Sequence, residues 1–258
     1  MSRPPALREL EYWWFRYRRT WRGTLVISFA NPLLFLTATG IGMGRLVDQH
    51  GEAAIQGHSY LAFVVPGLLA AAVMQTTYIE AGGPVYTSAR AGGNYRAAAA
   101  TPLSPADILA GHLMFMGLRV LLTATAFTAI GTAFGVVSPA RAPLLVMAAF
   151  LCAMAFATPI AAWAVATRMT AGLTAVFRFV LMPMYMFSGT FFAVDRLPLA
   201  LRVIIEITPL WHGVDLCRTL AFGDATLAGT LIHVSYLAAL ALGGFILARR
   251  NYARSLRT

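Results

Sequence analysis

The chain has 258 residues, 59% of them hydrophobic and 12% charged, with a formal net charge of +10. A soluble domain carries about a quarter charged residues, so half that share points to a membrane protein, and the length leaves no room for a large soluble module. All 20 basic residues are arginine, which excludes a phosphate-binding loop of the Walker type and a Schiff-base enzyme, because both need a lysine. Cys152 and Cys217 offer no metal spacing, and no pairing between them is expected.

The arm 1–22, "LRELEYWWFRYRRTWRG" at its core, repeats Leu7, Leu10, Trp14, Tyr17 and Trp21 at helical spacing, with arginine over much of the remaining circumference. This pattern predicts an amphipathic helix lying in the headgroup plane with its aromatics at the interface. A span needs about 20 mostly apolar residues. Six runs qualify: Gly23–Gly44, Gly57–Ile79, Ile108–Val137, Ala142–Thr167, Leu173–Val194 and Thr226–Ala248. The first run is too long for the apolar region of a cleaved signal peptide. It ends in Gly40, Gly42 and Gly44, and the third contains Gly131 and Gly135; glycines at this spacing suit close helix packing.

The loop 80–107 is too long for a tight connection. Gly82-Gly83-Pro84 stops the second span and the Thr101-Pro102 to Ser104-Pro105 stretch restarts the chain. Short helical pieces kinked at Gly92-Gly93 are expected between them, with Arg90, Tyr95 and Arg96 available to a partner. Charges inside spans cost several kcal/mol and mark candidate functional sites, roughly 3 kcal/mol each on insertion scales. Arg119, about a third of the way along its span, therefore needs an internal partner or water, Arg178 can snorkel to its own end, and Glu80 stands at an edge.

The stretch 195–224 is the ambiguous one. As a trial helix, 197–217 gains about 3–6 kcal/mol from its Leu, Ile and Val residues, but Arg202, Glu206 and Asp215 oppose insertion by up to about 8–10 kcal/mol. Pro198 and Pro209 add to that cost. It is therefore not a seventh span. Orientation agrees: Arg3, Arg8, Arg16, Arg18, Arg19 and Arg22 in the arm, with Arg249, Arg250, Arg254 and Arg257 in the tail 249–258, put both termini in the cytoplasm, which requires an even number of spans. The net charge is thus a topology signal, and no nucleic-acid partner is expected. No catalytic or metal set follows from the spacing of the histidines, His212 and Asp215 included.

Four segments together resemble the membrane subunits of type-2 ABC exporters, most closely the nodulation lipo-oligosaccharide exporter permeases and actinobacterial drug-export permeases. They are "ANPLLFLTATGIGMG" (30–44), "YLAFVVPGLLAAAVMQTTYIEA" (60–81), "NYRAAAATPLSPADILAG" (94–111) and "MFSGTFFAVDRLPLALRVIIEITPLWHGVDLCR" (186–218). Two departures stand out: Arg96 where many relatives carry an acid, and Ala193 where a proline is usual.

The resemblance implies a single all-α membrane domain over 1–258, with six spans, an N-terminal interface helix, and a pair of short re-entrant helices outside between spans five and six. It implies that loop 80–107 couples to a separate cytoplasmic ATPase through Glu80, Tyr86, Arg90, Tyr95 and Arg96. It implies a substrate route past Arg119, Tyr185, Phe187, Phe191 and Phe192, and a lid built from Arg202, Glu206, Pro209, His212, Asp215 and Arg218, where Arg202–Glu206 and Asp215–Arg218 have the spacing to pair. The partners implied are two ATPase subunits, a second permease copy or paralogue, and membrane lipids. No cofactor is expected in this chain, ATP and Mg being held by the ATPase. The location implied is the plasma (inner) membrane. The expected cargo is lipophilic or amphiphilic; alternatives are a lipid-linked polysaccharide, or a lipid-modifying enzyme using His212 and Asp215.

Overall fold

The computed structural model describes residues 4–23, 58–90 and 92–256, with residues 30, 33, 34, 37 and 38 described singly. The span expected over 23–44 and the loop 45–56 otherwise lie outside the described residues, as do Gly40, Gly42 and Gly44. Among the described residues the protein is helical, and five helices are long and apolar enough to cross a membrane.

Helix α1 (Pro5–Tyr17) begins with proline in its first turn, where the missing N–H would have had no helical partner. The stripe it buries contains Glu9 and Trp13, whereas Trp14 is 46% exposed. The aromatic stripe expected from the sequence is therefore rotated, because α1 packs on a helix instead of facing only headgroups. Next come α2 (Tyr60–Ala81), its N-terminus capped by the Ser59 hydroxyl, and two short helices, α3 (Gly83–Ser88) and α4 (Asn94–Ala99). The bend between these two passes through Gly92 at φ +75°, a conformation that L side chains avoid. The loop thus forms the kinked helical pieces expected of it.

Helix α5 (Pro105–Ala133) starts with a capping box in which Ser104 and Asp107 exchange side-chain and backbone bonds. Helix α6 (Ala142–Ala166) is the central element and packs against α2, α5 and the last two helices. Helix α7 (Thr170–Phe187) widens by a turn at Phe177–Leu181, just before Pro183. Proline lacks an N–H and crowds the carbonyl four residues back, and a local π-turn relieves both.

The stretch between α7 and the last long helix contains α8 (Leu199–Glu206) and α9 (Pro209–Phe222), parted at Pro209. The Thr208 hydroxyl accepts from Trp211 N at the start of α9, and Gly223, at φ +85°, ends it. Helix α10 (Leu227–Ser255) closes the chain.

In lipid, apolar surface gains little by leaving its solvent, so helices associate through close packing and small residues. The α6–α10 contact follows this rule. A Cβ on Gly244 would sit 2.4 Å from Thr158 Oγ1 and 2.6 Å from Pro159 Cδ, so only glycine permits the approach. Gly131 likewise lies against Val65 and Val137, each 3.2 Å from where its Cβ would be, which supports the packing role expected of it. Gly135, at φ +73°, shapes the turn after α5.

Candidate functional site

Both ends of the helix bundle contain polar side chains that the apolar sequence between them does not foreshadow. The first group gathers where α1, the α3–α4 loop and the end of α10 meet. Trp13 Nε1 donates to Glu9 Oε1 at 2.8 Å, and Asn94 Nδ2 donates to the same oxygen at 2.5 Å. Burial is the main force that raises the Glu9 carboxyl above its usual range, with the two donated bonds opposing it. The Trp13 indole stacks on the His112 ring at 3.7 Å, nearly coplanar. Tyr95 OH hydrogen-bonds His112 Nδ1 and lies 3.1 Å from Tyr252 OH. Burial pushes the Tyr95 hydroxyl well above its usual range, so it stays neutral.

These bonds tie four elements together. Helix α1 crosses α5 at Gly111, where a Cβ would come within 2.5 Å of Ala6 O. One position needs correction here. Tyr95, expected to be available to a partner, is fully buried. The physical reason is its hydroxyl, which satisfies two buried polar groups that would otherwise have no partner on that side.

The remaining residues expected for coupling do lie at this end. Tyr86 OH donates to Arg168 O at 3.2 Å, and the Arg90 guanidinium stacks over the Tyr86 ring at 4.6 Å. Arg90 Nε and Nη2 are enclosed without a hydrogen-bond partner among the described residues. Arg96 is exposed and donates to Ala89 O at 3.3 Å. Glu80 and Arg119, read separately in the sequence, form one ion pair at 2.9 Å. Arg119 also lies 4.7 Å from the Tyr17 ring centre on α1's side of the bundle. The internal partner that its position demanded is therefore Glu80. Arg178 is exposed on α7.

The aromatic residues assigned to the substrate route meet at the other end, away from Arg119. Tyr185 and Phe191 pack edge to face at 5.4 Å. Phe187 and Phe192 line an apolar groove of about 570 Å³ between α7 and α8, together with Leu201 and Ile204.

The residues expected to form the lid lie on α8 and α9. Arg202 and Glu206 pair at 2.6 Å. The pairing expected between Asp215 and Arg218 does not form. Arg218 turns inward instead, donating to Gly189 O at 2.7 Å and Phe63 O at 3.4 Å, with its guanidinium 3.8 Å from the Phe63 ring centre. The turn at Gly189 leaves carbonyl oxygens that need a donor, and the guanidinium fork supplies several. Asp215 Oδ2 instead lies 3.0 Å from His233 Nε2, and His233 Nδ1 lies 2.8 Å from His212 Nδ1. Among the described residues no cluster is arranged to hold a metal ion.

Glu9, Trp13, Asn94, His112, Tyr252 and His233 escaped the sequence reading. The spacing Glu9–Trp13 was a usable signal, since residues four apart share a helix face. Nothing local links His112, Tyr252 and His233 to their partners.

Comparison with known proteins is consistent along nearly the whole chain. Residues 10–222 match the family model described as ABC-2 type transporter. Nodulation protein J of Rhizobium meliloti (strain 1021) is 26% identical over 251 residues, covering 94% of this chain and 92% of that protein. Nodulation protein J of Sinorhizobium fredii (strain NBRC 101917 / NGR234) is 26% identical over 244 residues, covering 91% and 88%. Its namesake in Bradyrhizobium diazoefficiens is 23% identical over 248 residues, covering 94% and 92%. No solved structure matches the chain.

Proposed function

The chain belongs to the ABC-2 type transporter family as a multi-pass transmembrane permease, and from that premise we propose that it exports a lipophilic or amphiphilic compound, driven by ATPase subunits on separate polypeptides. The observation that carries this reading is the α3–α4 loop, tied to α1, α5 and α10 by side-chain hydrogen bonds, with Arg96 exposed on it and Arg90 half-buried, its Nε and Nη2 without a hydrogen-bond partner among the described residues. A docking element must be stiff, or motion in the partner is absorbed as local bending. Arginine supplies fixed, fork-shaped donors for a carboxylate on the partner.

In this reading both termini are cytoplasmic, the first span lies within 23–44, and α8–α9 dip into the outer leaflet as a lid. Two ATPase subunits bind ATP and Mg; this chain has no lysine with which to build a phosphate-binding loop of its own and serves as a transport subunit. A second permease, copy or paralogue, completes the route. The groove of Phe187, Phe192, Leu201 and Ile204 suits an acyl or aromatic part of the cargo. A lipid-linked polysaccharide is the alternative cargo.

The test is co-purification of the cognate ATPase from native membranes with the wild-type chain and with an Arg90→Glu/Arg96→Glu variant. Loss of the ATPase from the variant, at unchanged thermal stability, is expected. Undiminished ATPase binding overturns the docking assignment.

A further inference from the structure

Three ionisable side chains join α9 to α10 at the end of the bundle away from the termini. Asp215 and His212 lie one turn apart on α9, and His233 faces both from α10. Asp215 Oδ2 is 3.0 Å from His233 Nε2, and the two Nδ1 atoms are 2.8 Å apart. His212 and His233 are each 7% exposed. The His212 ring stacks on Tyr236 at 3.9 Å, and Trp211 packs edge-on to both imidazoles at 5.0 and 5.4 Å.

Proton counting fixes what this chain of bonds can hold. A hydrogen bond between two imidazole nitrogens needs one N–H and one lone pair. With both rings neutral, His233 donates Nε2–H to Asp215 and accepts at Nδ1 from His212. One added proton, on His212 Nε2 or on the bridge, leaves every bond in place and balances the Asp215 charge. A second added proton puts N–H on both Nδ1 atoms. The bridge then becomes two facing donors on two cations, in a site too enclosed for water to separate them.

We propose that Asp215, His233 and His212 form a proton-binding site that fastens α9 to α10 and lets go when both rings are protonated. The ligand is the proton of the solution bathing that end. Other charged groups nearby set its range. Glu206 on α8 favours the charged form of His212, as does Asp215. Arg218, the other cation on this part of α9, points away to Gly189 and Phe63. Helix α2 presents Phe63, Gly67 and Ala70 to α9, and α6 presents the Cys152 thiol beneath Gly213. Burial, and then His233, push His212 down to about 4, so release belongs to acid conditions. A metal is not the ligand this geometry favours, because the carboxylate lies on the Nε2 side of His233 and the facing nitrogens are both Nδ1.

Trp211 is a built-in reporter, since an imidazolium quenches a neighbouring indole and release of α9 exposes it. The experiment is a pH titration, from 8 down to 3.5, of tryptophan fluorescence and acrylamide quenching in the purified chain in lipid nanodiscs. The Trp211→Phe variant supplies the background from the other indoles. Expected is a Trp211-dependent transition with a midpoint between about 4 and the ordinary histidine value of 6.5. It should disappear in His212→Gln and move down by about one pH unit in Asp215→Asn, which removes the nearby charge that favours protonation. A Trp211 signal flat over this range, or one unchanged in His212→Gln, overturns the proposal. Because no ATPase or cargo is present, the outcome is independent of the transport reading.

Discussion

The Glu80–Arg119 pair separates two roles for an arginine inside a span. Arg119 Nε and Glu80 Oε1 are 2.9 Å apart, with side chains 10% and 14% exposed. At an effective dielectric constant of about 20, the gross attraction at this distance is roughly 6 kcal/mol. Desolvation of the two groups cancels much of it, so the pair as a whole is worth little compared with apolar replacements. Breaking it from one side is different, because the partner's charge is left enclosed, at about 3–5 kcal/mol. Arg119→Met also forfeits the contact with the Tyr17 ring, about 0.5–2 kcal/mol.

Glu80→Gln, Arg119→Met and the double variant should therefore form a non-additive cycle in thermal unfolding of the purified protein. Each single change is expected to destabilise by about 3 kcal/mol, and the double to cost no more than either single, a coupling of about 3 kcal/mol. Additivity within about 0.5 kcal/mol would refute the argument that the two charges need one another. ATPase stimulation by the reconstituted double variant then decides the second role. Retained stimulation leaves Arg119 a purely structural cation; its loss in a stable double variant returns Arg119 to the cargo route.

Three further outcomes follow from the same end of the bundle. Gly111→Ala places a methyl 2.5 Å from Ala6 O, and the overlap should lift α1 from α5 at a cost of about 1–3 kcal/mol, read as a lower unfolding temperature and faster proteolysis of the N-terminal arm. Tyr95→Phe removes the shared partner of His112 and Tyr252 and should destabilise by about 1–3 kcal/mol, with ATPase docking weakened although residue 95 itself is buried. Glu9→Gln keeps the oxygen that accepts from Trp13 and Asn94 but cannot ionise. Because the folded protein raises the Glu9 pKa above 4.5, its contribution is fully present below 4.5 and is lost as pH rises through the raised value. The variant should thus gain on the wild type as pH rises from acid to neutral, a trend that unfolding temperatures across pH will register.

The helices that fill the bilayer were legible because their signal is compositional: long uncharged runs admit few other readings. The break at Pro209 and the kink at Gly92-Gly93 were legible for a related reason, since proline and glycine constrain the backbone wherever they stand. Polar pairing was legible only within one helix. Arg202–Glu206 follows from spacing of four, whereas Asp215–Arg218 at spacing of three lost to partners outside the helix. His233 and Gly189 compete for those side chains from other elements, and no local rule ranks such rivals. Tyr95 shows the same limit. An aromatic in a loop reads as exposed until the chain that buries it, 157 positions later at Tyr252, is brought alongside.

Helix α10 takes part in both polar networks, through Tyr252 at one end and His233 at the other, and 19 residues of helix span about 29 Å between them. Between those points it is pinned. Thr158 Oγ1 donates to Ala241 O at 2.8 Å, and Gly244 sits directly on Pro159. Pinning at the middle discriminates between motions. Sliding α10 along its axis breaks the Thr158 bond and drives neighbouring side chains into Pro159, while tilting about the pin preserves both contacts. A tilt displaces the two ends in opposite directions. A push on the α3–α4 loop would therefore reach Tyr252 through Tyr95 and move His233 the other way, toward or away from α9. The contact that resists this movement is the Asp215–His233–His212 chain between α9 and α10, so on the proposal above its protonation sets how firmly the far end of the lever is held.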